Sequence, residues 1–80
     1  MPKLTVEYFA SLREQAGIER EELTSLASTY GELYEELRRK HGFTLPLSMI
    51  QLAVNDEFSA LDNPCVDGVN VVFIPPIAGG

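Results

Sequence analysis

The sequence predicts an α+β roll, one sheet with a single main helix packed across one face. An alternating run, Lys3 to Phe9, lies near one end of the chain, and a nearly continuous apolar run, Val69 to Ile74, near the other. Between them stands one amphipathic pattern of helical period, Tyr30 to His41. Clusters of Gly, Pro, Asn and Asp divide the rest at short intervals, with no repeat and no low-complexity segment.

The first strand, "KLTVEYF", points Leu4, Val6 and Tyr8 one way and Lys3, Thr5 and Glu7 the other. The period then changes at "SLREQAG". Ser11 and Glu14 read as a capping box, Phe9, Leu12 and Ala16 share one helical face, and Gly17 supplies a stop. A second strand is expected at Glu21 to Ala27, where the alternation is imperfect.

The main helix is the most fully specified element. Thr29 and Glu32 form its capping box, and Tyr30, Leu33, Tyr34 and Leu37 make its apolar stripe. Its acids come early and Arg38, Arg39 and Lys40 come late, an order that complements the helix dipole. Glu35–Arg39 and Glu36–Lys40 are spaced as i,i+4 pairs, and Gly42 is a natural C′ residue. After a loop through Pro46, Met49 to Asn55 reads as a strand with Ile50, Leu52 and Val54 on one face. Asp56-Glu57 turns it back into a short edge at Phe58 to Leu61. Asp62 to Gly68 is a region of turns, and Val69 to Ile74 is the most apolar strand, suited to the sheet centre.

Eighty residues, 45% of them hydrophobic, allow one small core. A single cysteine, Cys65, permits no internal disulfide and fits a reducing compartment. No signal peptide and no membrane-length apolar run is visible, so a cytoplasmic protein is expected. Twelve acids against six bases, a formal charge of −6, disfavour nucleic acid and anionic membranes and favour partners with basic surfaces. The one basic run, Arg38 to His41, is accounted for as helix-end chemistry.

A self-contained active site is not visible. His41 ends a helix, where a cation complements the dipole. Cys65 sits in a turn without a Cys-x-x-Cys motif or a nearby histidine, so it reads as a bystander more readily than as a reactive thiol. One Cys and one His cannot build a protein-only zinc site. Glu19, Glu21 and Glu22 read as a solvated acidic run, and no Gly-rich turn cradles phosphate.

The unusual chemistry is in "PPIAGG". Pro75 and Pro76 end the strand pattern and hold the chain extended. Ile77, Ala78 and Gly79 carry the chain on to Gly80, and the segment from Pro75 can span up to about 20 Å. Gly79-Gly80 has no side chain, so a terminal carboxylate there can enter a narrow channel in another protein. A carboxylate is a poor electrophile, and acyl-adenylation by an ATP-using partner is the economical activation. A sulfur nucleophile would then yield a thiocarboxylate at Gly80, and a lysine amine would yield an isopeptide. The competing expectation is an ordinary sheet edge with two accidental glycines.

Three stretches, "YFASLRE", "LAVNDEF" and "DGVNVVFIPPIAGG", together with the order of elements, make the chain resemble the small subunit of molybdopterin synthase, the MoaD family. The resemblance covers nearly the whole chain. It implies a β-grasp, ubiquitin-like fold, with a mixed sheet of four to five strands over residues 1–74 and an extended tail over residues 75–80. It also implies that Gly80 is adenylated by an E1-like partner of the MoeB type using ATP, and is then converted to a thiocarboxylate with sulfur from a donor. No cofactor is bound permanently. The charged carrier docks on a large subunit of the MoaE type, as a heterotetramer of two large and two small subunits, and delivers sulfur to cyclic pyranopterin monophosphate.

Phe9, Phe58 and one face of Val69 to Ile74 are the outward apolar residues that alternation leaves over, and they are candidates for the docking patch. By resemblance, Phe58 and Ile74 fall where the family uses apolar contacts. The nearest alternative is a ThiS-type carrier for thiamine thiazole synthesis. Such chains are usually shorter and often lack the first helix, so "SLREQAG" favours the molybdopterin reading. A ubiquitin-like protein modifier and an interaction module with an inert tail are the remaining classes.

Overall fold

The computed structural model describes residues 2–76. The tail positions Ile77, Ala78, Gly79 and Gly80 lie outside the described residues. Five strands, β1 (Lys3–Tyr8), β2 (Arg20–Thr24), β3 (Gln51–Val54), β4 (Glu57–Ser59) and β5 (Asn70–Ile74), form one sheet in the order β2-β1-β5-β3-β4. β1 and β5 run parallel, and the other pairs are antiparallel. Helix α1 (Ala10–Ala16) follows β1, and helix α2 (Tyr30–His41) crosses one face. This is the β-grasp roll expected from the sequence, with the apolar β5 at the centre of the sheet.

Alternation builds the core. Leu4, Val6 and Tyr8 of β1, Leu52 of β3, and Val71 and Phe73 of β5 are all buried under α2. From above, Tyr30, Leu33, Tyr34 and Leu37 of α2 close onto them. Phe43 fills the space beyond the helix end, stacked on Tyr34 at 5.8 Å and edge-on to Tyr8 at 5.5 Å. The Tyr34 hydroxyl donates to the Leu45 carbonyl (2.7 Å), so its polar tip is satisfied inside the core.

α2 begins and ends where its capping residues place it. Thr29 Oγ1 accepts the Glu32 amide (3.1 Å), and Gly42 takes the left-handed conformation (φ 74°). The Glu32 side chain reaches back to the Ser28 amide, one residue beyond the expected reciprocal bond.

Several expectations are corrected. The Ser11–Glu14 capping box does not form; Phe9 is the N-cap of α1 and makes no side-chain cap bond. β1 passes into the helix so abruptly that Ala10 takes a positive φ of 50°, and Ser11 falls inside the first turn. β2 stops at Thr24, short of Ala27: the Ser25 amide still donates to the Pro2 carbonyl (3.2 Å), but Pro2 has no N–H to return the bond, and Ser25 Oγ accepts the Ala27 amide (3.0 Å) and donates to Glu36 (2.9 Å). Met49 belongs to a 3₁₀ turn, Leu47–Met49, that the sequence reading missed, and β3 therefore starts at Gln51. The β3–β4 turn is Asn55-Asp56, both left-handed (φ 50° and 69°), where Asp56-Glu57 was expected. β4 covers Glu57–Ser59 and ends before Leu61.

The pairs Glu35–Arg39 and Glu36–Lys40 give way to other partners: Glu35 meets Arg38 (3.5 Å), and Lys40 crosses to Glu21 (2.7 Å). Among the described residues, no helix is long and apolar enough to cross a membrane.

Glu21 is the largest correction. The sequence places it in a solvated acidic run, but β2 alternates and turns Glu21 and Leu23 toward the helix side, leaving Arg20 and Glu22 outside. Its carboxylate receives the Tyr8 hydroxyl (2.6 Å) and Lys40 Nζ (2.7 Å), and lies 2.7 Å from His41 Nε2. Burial by itself would raise this carboxyl. The hydrogen bonds from Lys40, Tyr8 and His41 and the Lys40 charge outweigh burial and hold it at about 2. Burial, followed by the Glu21 hydrogen bond and charge, pushes the Tyr8 phenol up.

A depressed carboxyl contributes stability that is complete above its unfolded value and lost as pH falls through its folded one. Between pH 4.5 and pH 2 the protein therefore loses the Glu21 contribution. Glu21→Gln is expected to cost about 1–3 kcal/mol at neutral pH and to flatten that acid limb. Urea denaturation of both proteins across this range checks it; an identical limb in the variant would remove Glu21 from the account.

Candidate functional site

The sheet has a second face, opposite α2. Because β-strand side chains alternate, the register pairs define its rows. One row crosses all five strands: Phe58, Ala53, Val72, Glu7 and Arg20. Its β4–β3–β5 portion is apolar, and its β1–β2 portion ends in the Glu7–Arg20 ion pair at 3.7 Å. Ala53 and Val72 are buried yet lie outside the core cluster under α2, as residues of the opposite face should. Phe58 is 78% exposed at the margin of the row. An aromatic ring this exposed on a strand of a small domain does little for the core.

The next row leads to the end of β5. Ile74 pairs with Gln51 and is half-buried. On its other side β1 ends at Tyr8, and the following Phe9 is 47% exposed. Phe9, Ile74, Pro75 and Pro76, with Ala10, Ser11 and Glu14 of α1, surround a notch of about 540 Å³. Pro75 is buried and Pro76 exposed, so the chain leaves the sheet through this notch. Proline has no amide hydrogen, so neither residue extends the β5 ladder through its own N–H. The left-handed Ala10 starts α1 directly after Phe9, so the helix forms one wall of the notch.

The structure thus brings Phe9, Ile74, Pro75 and Pro76 together and sets Phe58 on the same face toward the β4 edge. Ile77, Ala78, Gly79 and Gly80 lie outside the described residues. Ala53 and the α1 residues around the notch were not singled out from the sequence. The alternation of "QLAVN" carried the signal for Ala53, since Leu52 inward requires Ala53 outward.

The other candidates fall elsewhere. Cys65 is half-buried in the turn region, its amide bonded to the Ser28 carbonyl (3.0 Å). Burial, then the charges of Glu32 and Glu36, push its thiol up, away from the thiolate a nucleophile needs. His41 is held by Glu21 and packs edge-on to Tyr8 at 5.5 Å.

Fold and site together define a ubiquitin-like β-grasp domain whose central strand runs out beside an apolar face. The chain matches the ThiS family over residues 6–80. It is 35% identical to the molybdopterin synthase sulfur carrier subunit of Mycobacterium tuberculosis, with all of both chains covered. Among solved structures it is similar to a chain in the complex of subunits 1 and 2 of the molybdopterin-converting factor from Helicobacter pylori. That match has 26% identity and a TM-score of 0.65 over 98% of this chain and 99% of the other. The small archaeal modifier protein 1 of Methanosarcina acetivorans shares the fold, with 20% identity and a TM-score of 0.77 over 100% of this chain and 98% of that one. The protein belongs to the ThiS family of ubiquitin-like sulfur carriers, which includes the molybdopterin synthase sulfur carrier subunits.

The two sheet faces predict opposite responses to substitution. Phe58→Ser should leave stability within about 0.5 kcal/mol of the parent, whereas Val71→Ala should cost about 1–3 kcal/mol. Thermal or urea denaturation measures both, and a large loss for Phe58→Ser would return that ring to the core.

Proposed function

We propose that the protein is the sulfur-carrier small subunit of a molybdopterin synthase. The observation that carries this reading is the notch: the central strand runs out through Pro75 and Pro76 at the rim of an apolar face suited to a partner. The carrier names of the full-length relatives support it.

In this reading the Gly80 carboxylate attacks the α-phosphorus of ATP on an E1-like enzyme of the MoeB type. Pyrophosphate leaves and an acyl-adenylate forms. Hydrosulfide released by a sulfur donor then attacks the carbonyl carbon, the bond to the phosphate oxygen breaks, AMP leaves, and Gly80 carries a thiocarboxylate. Pro75 and Pro76 keep the segment extended, and Ile77, Ala78 and Gly79 thread it into the partner.

The loaded carrier docks on a large subunit of the MoaE type through Phe58, Ile74 and Phe9, in an assembly of two large and two small subunits. The complex of subunits 1 and 2 in the Helicobacter pylori protein supports such a partner. The thiocarboxylate sulfur bonds to a side-chain carbon of cyclic pyranopterin monophosphate as an oxygen substituent leaves that carbon, water cleaves the acyl carbon–sulfur bond and returns Gly80 to the carboxylate, and a second loaded carrier repeats the exchange to complete the dithiolene. This chain supplies sulfur and a docking surface, and the catalytic side chains belong to the partner. The acidic balance suits basic partner surfaces, and a cytoplasmic setting supplies ATP and keeps Cys65 reduced. The match to the ThiS family favours a second reading, delivery to a thiazole precursor with the same tail chemistry.

Two experiments test the proposal. Incubation with an E1-like enzyme, ATP and a sulfur donor should add the mass difference of one oxygen-for-sulfur exchange, localised to Gly80. An unchanged mass, with enzymes active on a control carrier, would defeat the carrier chemistry. Adding large subunit and pterin precursor, or thiazole synthase, then separates the two acceptors. Ile74→Asp and Phe58→Asp should each weaken large-subunit binding by about tenfold or more while the domain stays folded. Calorimetric titration with a circular-dichroism control reads both.

A further inference from the structure

We propose a second docking surface, on the outer side of α2, for a basic segment that carries an apolar anchor side chain. It lies across the molecule from the face that holds Phe58, and it does not depend on the function proposed above.

A groove of about 510 Å³ runs along the solvent side of α2. Its apolar lining is Leu26 and Ala27 from the β2–α2 connection, Leu47 from the 3₁₀ turn, and Leu61 from the β4–β5 connection. Leu26 is 80% exposed, the most exposed large apolar side chain among the described residues. Its position is set by its neighbours. Ser25 is buried and locked by bonds to Glu36 (2.9 Å) and the Ala27 amide (3.0 Å), so the connection holds its shape on both sides of Leu26.

The opposite wall is equally constrained. The Gly31 amide donates to the Leu61 carbonyl (2.7 Å), and a Cβ on Gly31 would sit 3.2 Å from that oxygen. Glycine therefore lets the β4–β5 connection close against the helix and shape the groove. A fixed apolar floor is already present before any ligand arrives, which lowers the ordering cost of binding.

The charges around that floor select the occupant. Glu32, Glu35, Glu36 and Asp62 line the groove, and Arg39 is the single cation among the lining residues. Glu35 is paired with Arg38 only at 3.5 Å, and Glu32 and Glu36 spend their bonds on the neutral groups of Ser28 and Ser25. The negative field is therefore left to attract a cationic partner. The formal charge of −6 disfavours a second copy of this chain, nucleic acid and anionic lipid alike. The fitting partner is a Lys- or Arg-rich segment with one leucine-sized side chain between its cations, which seats on Leu26 and Leu61. Because this surface and the Phe58 face are on opposite sides of the sheet, both can be occupied together.

The test uses the full isotope-labelled chain and a blocked peptide with one leucine flanked on each side by two lysines. Amide shifts should saturate and centre on residues Leu26, Gly31, Glu35 and Leu61, and binding should weaken as salt rises from about 50 to about 200 mM. Leu26→Ser, Glu35→Lys, and a peptide with serine in place of leucine should each weaken binding about tenfold. Leu26 is largely exposed, so its substitution should leave the remaining amide spectrum in place. Glu35→Lys and the serine peptide test the proposal without touching Leu26. Shifts that never saturate, that spread over all the acidic surface, or that survive the loss of either leucine would overturn the groove as a site.

Discussion

The parallel pairing of β1 with β5 is the constraint on which the rest of this structure depends. It puts the most apolar strand between β1 and β3, so that Val71 and Phe73 are covered by α2 while Val72 is buried in the opposite face. A strand buried on both faces is held in register by fit, Val71 and Phe73 in the core under α2 and Val72 between Ala53 and Glu7 on the other side. The direction in which the chain leaves β5 is consequently fixed by the core itself. The prolines, the notch and the apolar rim then act on a chain already aimed.

The polar cluster around Glu21 does comparable work at the other side of the sheet. β2 is an edge strand with only one ladder, to β1, and it is rich in charge. Glu21 joins it to the core through Tyr8 and to the end of α2 through Lys40 and His41. A half-buried carboxylate is favourable only because its partners satisfy it. The arrangement ties strand, helix end and core phenol at one point, where a small domain without disulfides has little else to hold its margin.

Much of this was legible in the sequence, and the failures share a cause. β1 and α2 carry whole periods, and α2 carries its own caps at Thr29 and Gly42, so their limits follow from local chemistry. β2, β3 and β4 are only three to five residues long, and their ends are set by tertiary partners. Pro2, which has no N–H to return to Ser25, ends the β1–β2 ladder, and the paired left-handed conformations of Asn55 and Asp56 define β4. Glu21 was misread because a run of three acids hides an alternation, one of them facing inward to cations distant in sequence. On the site, Phe9, Phe58 and Ile74 were visible as apolar residues left over after the core was filled. The α2 groove was not, because its walls come from three connections that only the folded chain brings together.

The left-to-right order of the sheet also bears on how the molecule comes into being. Thr5 pairs with Asn70 and Tyr8 with Phe73, so the centre of the sheet joins the first strand of the chain to the last. Contacts of such long range form slowly, because the loop they close is nearly the whole domain. During synthesis, a nascent chain lacking β5 has β1 and β3 with no strand between them, and thus no closed core. Folding is completed only when residues just ahead of the tail become available. The central strand is therefore also the last of the five to be made, and a chain that lacks it has neither the middle of the core nor the apolar face on which Ala53 and Val72 lie.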